Sequence, residues 1–534
     1  MGERVKGGQA VVRALEAHGV DVVFGIPGVH TLEIYDALRD SPIRHILARH
    51  EQGAGFMADG YARASGRPGV AIIITGPGIT NVATPIGEAY SDSIPVLVVS
   101  ANVEQEWAGK MLGHLHDLKD QLGVMRAVTK WNDRATTVPA VSQLIAEAFR
   151  QMTTGRPRPT HVEVPLDVLR AFGEIEVASP EPIAPVAPDP QDVERAVSAI
   201  AAAERVVIYA GGGAVASGAH QAITELAERL GAPVLTSIMG KGSIAEDHPM
   251  ALGNLWEPGS PVEEVLRGAD LALVIGSKLG AQDTDYQRMP MPSTIIRVDI
   301  DPEEIGRNYA PTQAIVADAA LTVRALVDHL AARGVSKQSW KPEQVADIRQ
   351  RARAVAWGAE QQPYVDALRS AIPRDGILVT DMTMMSYVSC RLYPVYEPRT
   401  FFFPAGYGTL GFSLPAAIGA KIARPDAMVV PIVGDGGFQF TMQEVATAVQ
   451  FRLGLPIVIF NDSTYTAVKE TQAREFDRRF IAVDLVNPDY VKLADAYGIP
   501  GVRAESPDAL AEAIRAAARR DLPTIIDTPI HFDY

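Results

Sequence analysis

The stretch from residue 433 to residue 462 constrains the fold more than any other part of the chain. It reads VGDGGFQFTMQEVATAVQFRLGLPIVIFND, with Asp435 near its start and Asp462 at its end. Thr441 and Glu444 have the Ser/Thr-x-x-Glu spacing of a capping box, which predicts a helix beginning at Thr441. The apolar runs that precede the two aspartates predict β-strands. The order strand, helix, strand is that of a crossover unit with parallel strands.

Both aspartates are expected beyond the carboxyl ends of neighbouring strands, where open α/β sheets bind ligands. Gly434, Gly436 and Gly437 flank Asp435 without side chains, which lets backbone amides approach a phosphate. Carboxylate oxygens close to phosphate suit Mg²⁺, which prefers oxygen ligands in octahedral geometry. The alternative is that Asp435 caps one turn and Asp462 begins another. The spacing, with a helix between the two residues, favours the metal site.

Short β-branched runs alternate with helical stretches along the whole chain, which predicts an α/β protein whose parallel sheets are flanked by helices. Its 534 residues suffice for about three domains. Five prolines between residues 180 and 190 predict a stiff connector, and the polar stretch 332–344 predicts a second boundary. The expected domains are therefore 1–175, 190–333 and 345–534. Pro431 interrupts the strand before Asp435 and predicts a local bulge.

The composition narrows the class of protein. A formal net charge of −15 gives no attraction to nucleic acid or to anionic membranes. No apolar run reaches the roughly 18 residues of a membrane span, and the first ten residues lack the apolar core of a signal peptide. The single cysteine, Cys390, excludes an internal disulfide and a cysteine-built metal site. These features predict a cytoplasmic protein that binds neither nucleic acid nor membrane.

The GDG motif at 434–436 and the pair Asn461-Asp462 resemble the fingerprint of thiamine diphosphate enzymes. In that family the second residue of the pair is a Mg²⁺ ligand, and this chain has an aspartate where an asparagine is usual. The resemblance implies thiamine diphosphate and Mg²⁺ as cofactors. It also implies that the metal ligands are Asp435, Asp462 and the backbone carbonyl of Thr464.

A second motif of the same family lies in the first domain. The segment 48–63, ARHEQGAGFMADGYAR, resembles the one that carries a glutamate against the pyrimidine ring, and here that residue is Glu51. The implied role of Glu51 is a hydrogen bond to the pyrimidine N1′. This bond favours the imino tautomer, which takes the C2 proton and forms the ylide. Taken alone, Glu51 would be an acid at a helix N-terminus, where the helix dipole favours it.

Three more segments resemble the family in the expected order. Residues 24–38 match the loop near the thiazolium ring, residues 75–81 match the turn beside the pyrimidine, and residues 406–421 match the segment that wedges an apolar side chain beneath the cofactor. The residues that the resemblance places against the cofactor are Gly28, Val29, Thr75, Gly76, Pro77, Asn81, Gly408, Leu410, Gly434, Gly436, Gly437 and Tyr465. Leu410 is the wedge residue.

The resemblance assigns a role to each domain and implies an assembly. The first domain corresponds to the pyrimidine-binding domain, and the third corresponds to the diphosphate-binding domain. In this family the pyrimidine domain of one subunit faces the diphosphate domain of another. The chain is therefore expected to self-associate as a homodimer or a dimer of dimers, with active sites at the subunit interface.

The sequence of the central domain helps to distinguish the members of the family that hold FAD from those that do not. The segments VIYAGGGAV and VDIDPEEIG are compatible with a dinucleotide site. However, acetohydroxyacid synthases and related oxidases that hold FAD tend to carry an Arg-Phe-Asp-Asp-Arg stretch, and residues 279–287 read LGAQDTDYQ instead. A functional FAD site is therefore not expected. Residues 115–117 read Leu-His-Asp where those synthases have Phe-Gln-Glu, and Thr471 replaces the tryptophan of their acceptor pocket.

Among the members, the chain looks most like 2-oxo acid decarboxylases of the 5-guanidino-2-oxopentanoate type. The implied reaction is attack of the C2 carbanion on a 2-oxo acid, loss of CO₂, protonation of the enamine and release of an aldehyde. His30 and His116 are candidate proton carriers, although either could be a packed histidine. Two alternatives stay open. One is an acetolactate synthase-like carboligase, and the other is a non-catalytic thiamine-binding regulatory paralogue, against which the retention of Glu51 and Asp435 argues.

Overall fold

The computed structural model describes residues 3–178 and 183–532 as three α/β units, each built on a parallel sheet flanked by helices. The predicted fold class is confirmed. The first residues of the proline-rich connector, 180–182, lie outside the described residues. Residues 183–189 follow without regular secondary structure.

The first domain contains a six-stranded parallel sheet with the order β3-β2-β4-β5-β7-β6, and β1 pairs antiparallel with β8. The strands are β1 (Glu3–Lys6), β2 (Val22–Gly25), β3 (Arg44–Leu47), β4 (Gly69–Ile73), β5 (Val96–Asn102), β6 (Trp131–Arg134), β7 (Thr160–Pro165) and β8 (Phe172–Ile175). The helices are α1 (Gly7–Ala17), α2 (Leu32–Leu38), α3 (Glu51–Ser65), α4 (Pro77–Asp92), α5 (Gln121–Arg126), α6 (Val138–Thr153) and α7 (Leu166–Arg170).

The central domain repeats this plan with the sheet order β11-β10-β9-β12-β13-β14, all parallel. The strands are β9 (Val206–Ala210), β10 (Val234–Thr236), β11 (Ala251–Gly253), β12 (Leu271–Ile275), β13 (Thr294–Asp299) and β14 (Gln313–Val316). The helices are α8 (Pro190–Ala202), α9 (Gly212–Ser217), α10 (His220–Leu230), α11 (Glu263–Gly268) and α12 (Ala319–Ala332), with a 3₁₀ turn at Ile238–Gly240.

The third domain has the sheet order β16-β15-β17-β18-β20-β19. Its strands are β15 (Ile377–Val379), β16 (Phe401–Phe402), β17 (Val429–Gly434), β18 (Pro456–Asn461), β19 (Gly501–Arg503) and β20 (Thr524–Pro529). The helices are α13 (Pro342–Val355), α14 (Gln362–Ala371), α15 (Met384–Leu392), α16 (Ser413–Ala423), α17 (Asp435–Thr441), α18 (Val445–Gln450), α19 (Thr466–Glu475), α20 (Tyr490–Ala496) and α21 (Pro507–Ala517), with 3₁₀ turns at Ala359–Gln361 and Met442–Glu444.

Helices α3 and α16 join the first and third domains through direct backbone contact. A Cβ at Gly60 would lie 2.0 Å from the Ala416 carbonyl oxygen, and a Cβ at Gly419 would lie 1.9 Å from the Met57 carbonyl oxygen. Only glycine permits this approach. As a result, one hydrophobic core contains buried residues of both domains.

Two details of the fold bear on the predictions. Pro431 lies in β17 without the expected bulge, because β17 pairs with β15 over residues 429–431 and with β18 over residues 432–434, each in an unbroken register. Across the described parts of the chain, no helix is both long and apolar enough to cross a membrane.

Candidate active site

Asp435 and Asp462 lie at the same edge of the third sheet. Strands β17 and β18 are parallel neighbours, with Gly434 opposite Phe460. Asp435 is the first residue after β17 and also the first residue of α17, while Asp462 follows β18 by one position. The predicted placement of both carboxylates beyond the carboxyl ends of adjacent strands is therefore confirmed.

The Asp435 carboxylate is almost fully buried and is held by amide groups. It accepts hydrogen bonds from the Gly436 backbone N–H at 2.9 Å and from Asn487 Nδ2 at 2.5 Å. Asn487 Nδ2 also donates to Asn461 Oδ1 at 3.1 Å, so that it bridges the ends of the two strands. Burial raises the pKa of Asp435 to about 6, and the negative charge of Asp462 acts in the same direction.

The Asp462 carboxylate is fixed by its own loop. Its oxygens accept hydrogen bonds from the Thr466 hydroxyl and, at 3.3 Å, from the Thr464 backbone N–H. Burial raises the pKa of this group as well. Two partly desolvated carboxylates whose pKa values are raised by burial are a pair that a bound cation would stabilise in the ionised form.

Tyr465 packs against the glycine turn of this site. A Cβ at Gly436 would lie 2.6 Å from the Tyr465 ring, so this position has no room for a side chain. A Cβ at Gly437 would lie 2.9 Å from Asp381 Oδ1. The buried Asp381 carboxylate also accepts the backbone N–H groups of Gly411 and Ser413, at 2.9 and 2.8 Å. Asp381 therefore holds the segment that contains Leu410 and lies close to the GDG turn.

Glu51 lies in the first domain as the first residue of α3. The preceding residue, His50, caps the helix by accepting the Gln52 backbone N–H at its ring nitrogen. Asn81 Nδ2, on α4, donates a 2.9 Å hydrogen bond to Glu51 Oε2. Glu51 Oε1 is then the oxygen left for a ligand, and Asn81 fixes its direction.

The turn before α4 supplies the other residues of this half. Gly76 has φ +65°, and a Cβ there would lie 2.6 Å from the His116 carbonyl oxygen, which only glycine tolerates. Thr75 Oγ1 donates to Gln121 Oε1 at 2.7 Å, and the same oxygen accepts the Gly76 backbone N–H at 3.3 Å. Pro77 then begins α4.

His30 and His116 form a pair next to this turn. Their ring centroids are 5.4 Å apart. The Nδ1 atoms of both rings are buried and have no hydrogen-bond partner among the described residues. Burial lowers the pKa of His30, and the charge of His116 adds to this effect. His30 is held on a turn in which the Thr31 hydroxyl and Gly28 bond to each other, while Val29 at its tip is exposed.

The structure therefore brings the predicted residues together in two groups. One group contains Gly28, Val29, His30, Glu51, Thr75, Gly76, Pro77, Asn81 and His116 in the first domain, and the other contains Gly408, Leu410, Gly434, Asp435, Gly436, Gly437, Asp462, Thr464 and Tyr465 in the third. Within residues 3–178 and 183–532, no hydrogen bond or ion pair joins Glu51 or Asn81 to the Asp435 group.

Comparison with known proteins identifies the domains that contain these two groups. Models of the thiamine pyrophosphate enzyme match the chain in three places: the N-terminal TPP binding domain at residues 5–124, the central domain at 193–326 and the C-terminal TPP binding domain at 381–528. The chain belongs to the thiamine pyrophosphate enzyme family. It is a thiamine diphosphate-dependent enzyme of the decarboxylase and carboligase group.

Several relatives of this thiamine pyrophosphate enzyme match over nearly the whole chain. A protein of Pseudomonas aeruginosa described as "Probable 2-ketoarginine decarboxylase" is 40% identical over 526 residues, which are 97% of this chain and 93% of the relative. A "Probable acetolactate synthase large subunit" of Methanocaldococcus jannaschii is 36% identical over 550 residues, with coverage of 98% and 92%. The acetolactate synthase isozyme 3 large subunit of Escherichia coli is 32% identical over 538 residues, with coverage of 96% and 92%.

One prediction within the thiamine pyrophosphate enzyme site is wrong. Thr441 and Glu444 do not form a capping box, because α17 begins directly at Asp435 and Thr441 is its last residue. The Thr441 hydroxyl donates instead to the Gly411 carbonyl at 2.8 Å. The Glu444 carboxylate reaches into the first domain and accepts the backbone N–H groups of Arg49 and His50, both at 3.0 Å.

Four residues of the site were missed by the sequence analysis. Asn487, Gln121 and Asp381 hold the groups described above, and the buried Tyr35 hydroxyl lacks a hydrogen-bond partner among the described residues. Burial raises the pKa of Tyr35 well above its usual range, and the Glu51 charge contributes. Only Asp381 carried a signal, since it follows the apolar run Gly-Ile-Leu-Val-Thr at a strand end.

Proposed function

We propose that the chain catalyses the thiamine diphosphate- and Mg²⁺-dependent, non-oxidative decarboxylation of a 2-oxo acid to an aldehyde. The observation that carries this proposal is the pair formed by the buried His30 and the half-buried His116 beside the Gly76 turn. We propose that this pair carries the proton that the product receives, since the Nδ1 atoms of both rings have no hydrogen-bond partner among the described residues. A protonated product is an aldehyde, whereas a carboligase must exclude the proton in favour of a second carbonyl compound.

The oxygen donors of the third domain fit a magnesium ion. Asp435, Asp462 and the Thr464 carbonyl would hold it, because carboxylate and carbonyl oxygens together with diphosphate oxygens are the ligands that Mg²⁺ prefers. Asp462 in place of the usual asparagine keeps an oxygen at this position and adds a negative charge. Thr466 restrains that carboxylate, which orients it.

The first domain would bind the pyrimidine end of the cofactor. When bound, thiamine diphosphate supplies a carbanion that attacks the substrate carbonyl and stabilises the electrons left by CO₂. Glu51 would share a proton with the pyrimidine N1′, and Asn81 orients Glu51 for that contact. His30 and His116 would hold the proton that the product carbon receives.

The substrate is proposed to be a 2-oxo acid longer than pyruvate. The 40% identical relative is described as a probable 2-ketoarginine decarboxylase, which supports a substrate of that kind. Thr471, on α19, donates to the Ala467 carbonyl at 3.0 Å and presents no bulky wall for an acceptor. The acetolactate synthase relatives keep carboligation as the second candidate, and a regulatory paralogue without activity is the third.

The proposed assembly is a homodimer or a dimer of dimers, in which the first domain of one copy completes the third domain of another. It is supported by the absence, among the described residues, of a hydrogen bond or ion pair between Glu51 or Asn81 in one half of the site and the Asp435 group in the other. It is also supported by exposed apolar side chains near each half, which are Val29, Leu32, Met111, Leu112, Leu115, Phe476, Ile481 and Val486. Apolar patches of this kind mark association surfaces.

We further propose that the central domain holds no functional FAD. The glycine turn after β9 packs against the loop after β12: a Cβ at Gly211 would lie 2.4 Å from the Gly276 carbonyl oxygen. A Cβ at Gly213 would lie 2.8 Å from the Gly276 Cα. These glycines therefore serve close packing. A cytoplasmic location stays a prediction based on the composition.

The proposal is tested by measuring CO₂ release from a panel of 2-oxo acids that includes pyruvate, branched-chain, aromatic and guanidino-containing members. We expect turnover of at least one of them, dependent on added thiamine diphosphate and Mg²⁺ after dialysis against a chelator. Apoprotein without the cofactor is the matched control. Cofactor binding without CO₂ release from any member would favour the regulatory paralogue.

A further inference from the structure

The loop from residue 405 to residue 411, here called the wedge loop, is held by a carboxylate of the first domain. Glu88, on α4, is completely buried. Its Oε2 accepts hydrogen bonds from the Thr409 backbone N–H at 3.2 Å and from the Thr409 hydroxyl at 2.9 Å. Its Oε1 accepts a longer bond from the Tyr407 backbone N–H at 3.4 Å. A first-domain side chain therefore anchors the residue directly before Leu410.

The same helix contacts the rest of the wedge loop. Asp92, one turn after Glu88, accepts the Ala405 backbone N–H at 3.1 Å. A Cβ at Gly87 would lie 2.9 Å from the Tyr407 ring, and a Cβ at Gly406 would lie 2.6 Å from the Ser91 Cβ. The wedge loop thus lies against α4 with no space between them.

Leu410 sits between two anchored neighbours. On one side Thr409 is bound by Glu88, and on the other the Gly411 backbone N–H is bound by Asp381 at 2.9 Å. Gly408 and Gly411 have φ angles of +75° and +81°, so the loop backbone takes a course that only glycine adopts readily. The buried carboxylates of Glu88 and Asp381 hold this backbone on both sides of Leu410.

We propose that Glu88 is a positioning residue of the reaction, which holds the wedge loop so that Leu410 keeps its place beneath the cofactor. This inference rests on the proposed function, which places Leu410 against thiamine diphosphate. Glu88 itself touches neither substrate nor cofactor and acts through Thr409.

Burial and the neighbouring carboxylates favour the neutral form of Glu88. Asp59 and Asp92 both pair with Arg63, at 2.5 and 2.9 Å, so three carboxyl groups share one guanidinium. Burial raises the pKa of Glu88 to about 8, Asp92 and Asp59 add to the rise, and Arg63 opposes it. Because the pKa of Glu88 in the folded protein lies above its usual value of 4.5, the group contributes stability that is fully present below pH 4.5 and is lost as the pH rises through about 8.

The test compares Glu88→Gln with Glu88→Ala in the protein loaded with thiamine diphosphate and Mg²⁺. Glutamine imitates the neutral carboxyl group, whereas alanine removes the anchor. We expect Glu88→Ala to speed backbone hydrogen exchange in residues 405–411 and to lower kcat at least tenfold. We expect Glu88→Gln, which keeps an oxygen acceptor, to match the unmodified protein in both measurements at pH 7. Glu147→Gln, a substitution on α6 away from the wedge loop, is the matched control.

Unchanged exchange in residues 405–411 of folded Glu88→Ala would overturn the inference, as would a kcat of Glu88→Gln at pH 7 that is as low as that of Glu88→Ala. If Glu88→Ala does not fold, Thr409→Val decides, because it removes only the hydroxyl donor and should speed exchange at the same residues. Hydrogen exchange needs no substrate. Protein that binds the cofactor and shows the expected exchange pattern, but decarboxylates no 2-oxo acid, would refute the proposed function and leave the role of Glu88 as the anchor of the loop.

Discussion

Glu51 is placed by two neighbours whose roles differ. The capping side chain of His50 begins α3 at this residue, and the amide of Asn81 holds one carboxylate oxygen. With Glu51 Oε2 held by Asn81, the position of the second carboxylate oxygen, Oε1, is fixed as well. The proposed proton exchange with the pyrimidine therefore depends on the charge of Glu51 and on the geometry that Asn81 imposes.

Glu51→Gln should leave the cofactor bound while lowering kcat by roughly 10² to 10⁴, the usual contribution of a general acid–base group. The amide keeps the hydrogen-bonding size of the side chain but cannot share the proton, and the diphosphate and metal contacts lie in the third domain. Steady-state kinetics combined with cofactor titration tests this. Near-full activity would remove Glu51 from the mechanism, and Glu33→Gln, a change on the neighbouring helix α2, serves as the control.

Asp435→Ala should abolish Mg²⁺-dependent retention of thiamine diphosphate, because this carboxylate is buried at the strand end and no other side chain can take its place. Asp462→Asn should retain the cofactor, since the amide oxygen is the usual ligand in the family. Thiamine and metal analysis after dialysis distinguishes the two variants. Normal retention by Asp435→Ala would refute the magnesium site.

At the level of elements, the sequence predicts helices and strands correctly where the residues that determine them are close together in the chain. The runs before Asp435 and Asp462 are apolar and β-branched, and they form the parallel neighbours β17 and β18. The helix start was misplaced because Glu444 bonds to Arg49 and His50, which lie almost 400 residues earlier in the chain. Asn487 and Gln121 were missed for the same reason: their partners are distant in sequence and the residues carry no motif.

The contact between α3 and α16 predicts a strong position dependence for glycine substitutions. Gly419→Ala should destabilise the protein by about 1–3 kcal/mol or more, because its Cβ would overlap the Met57 carbonyl and force the two helices apart. Gly306→Ala is the matched control, since a Cβ there meets nothing within 4 Å. Thermal unfolding of the two variants tests the contact. Equal midpoints would show that α3 and α16 are not packed as described.

At the level of the whole molecule, the three sheets could be predicted, whereas the joining of the first and third domains could not. The contact between the central and third domains could not be predicted either. Arg349, on α13, donates to the backbone carbonyls of Glu246, His248 and Ala251 in the central domain. The expected boundary at residue 345 therefore lies within a helix that contacts both sides. Domain boundaries that are predicted from composition take no account of such packing. The expected domain limits therefore stay predictions.

The purified protein should contain no stoichiometric flavin. The glycines after β9 are packed against Gly276, and the arginine-rich stretch that accompanies FAD in synthases is missing from residues 279–287. Visible absorbance of the native protein and chromatography of the small molecules released on denaturation measure this. FAD present at one equivalent per chain would contradict this interpretation of the central domain and would favour the carboligase.

The most direct test of the central claim is the product distribution from the best 2-oxo acid substrate and from pyruvate, measured by chiral chromatography together with CO₂ release. If the His30–His116 pair supplies the proton, as proposed, and the small Thr471 offers no acceptor wall, protonation should outpace capture of a second carbonyl compound. The account predicts an aldehyde one carbon shorter than the substrate as the main product. Acetolactate-type products in excess of free aldehyde would contradict it.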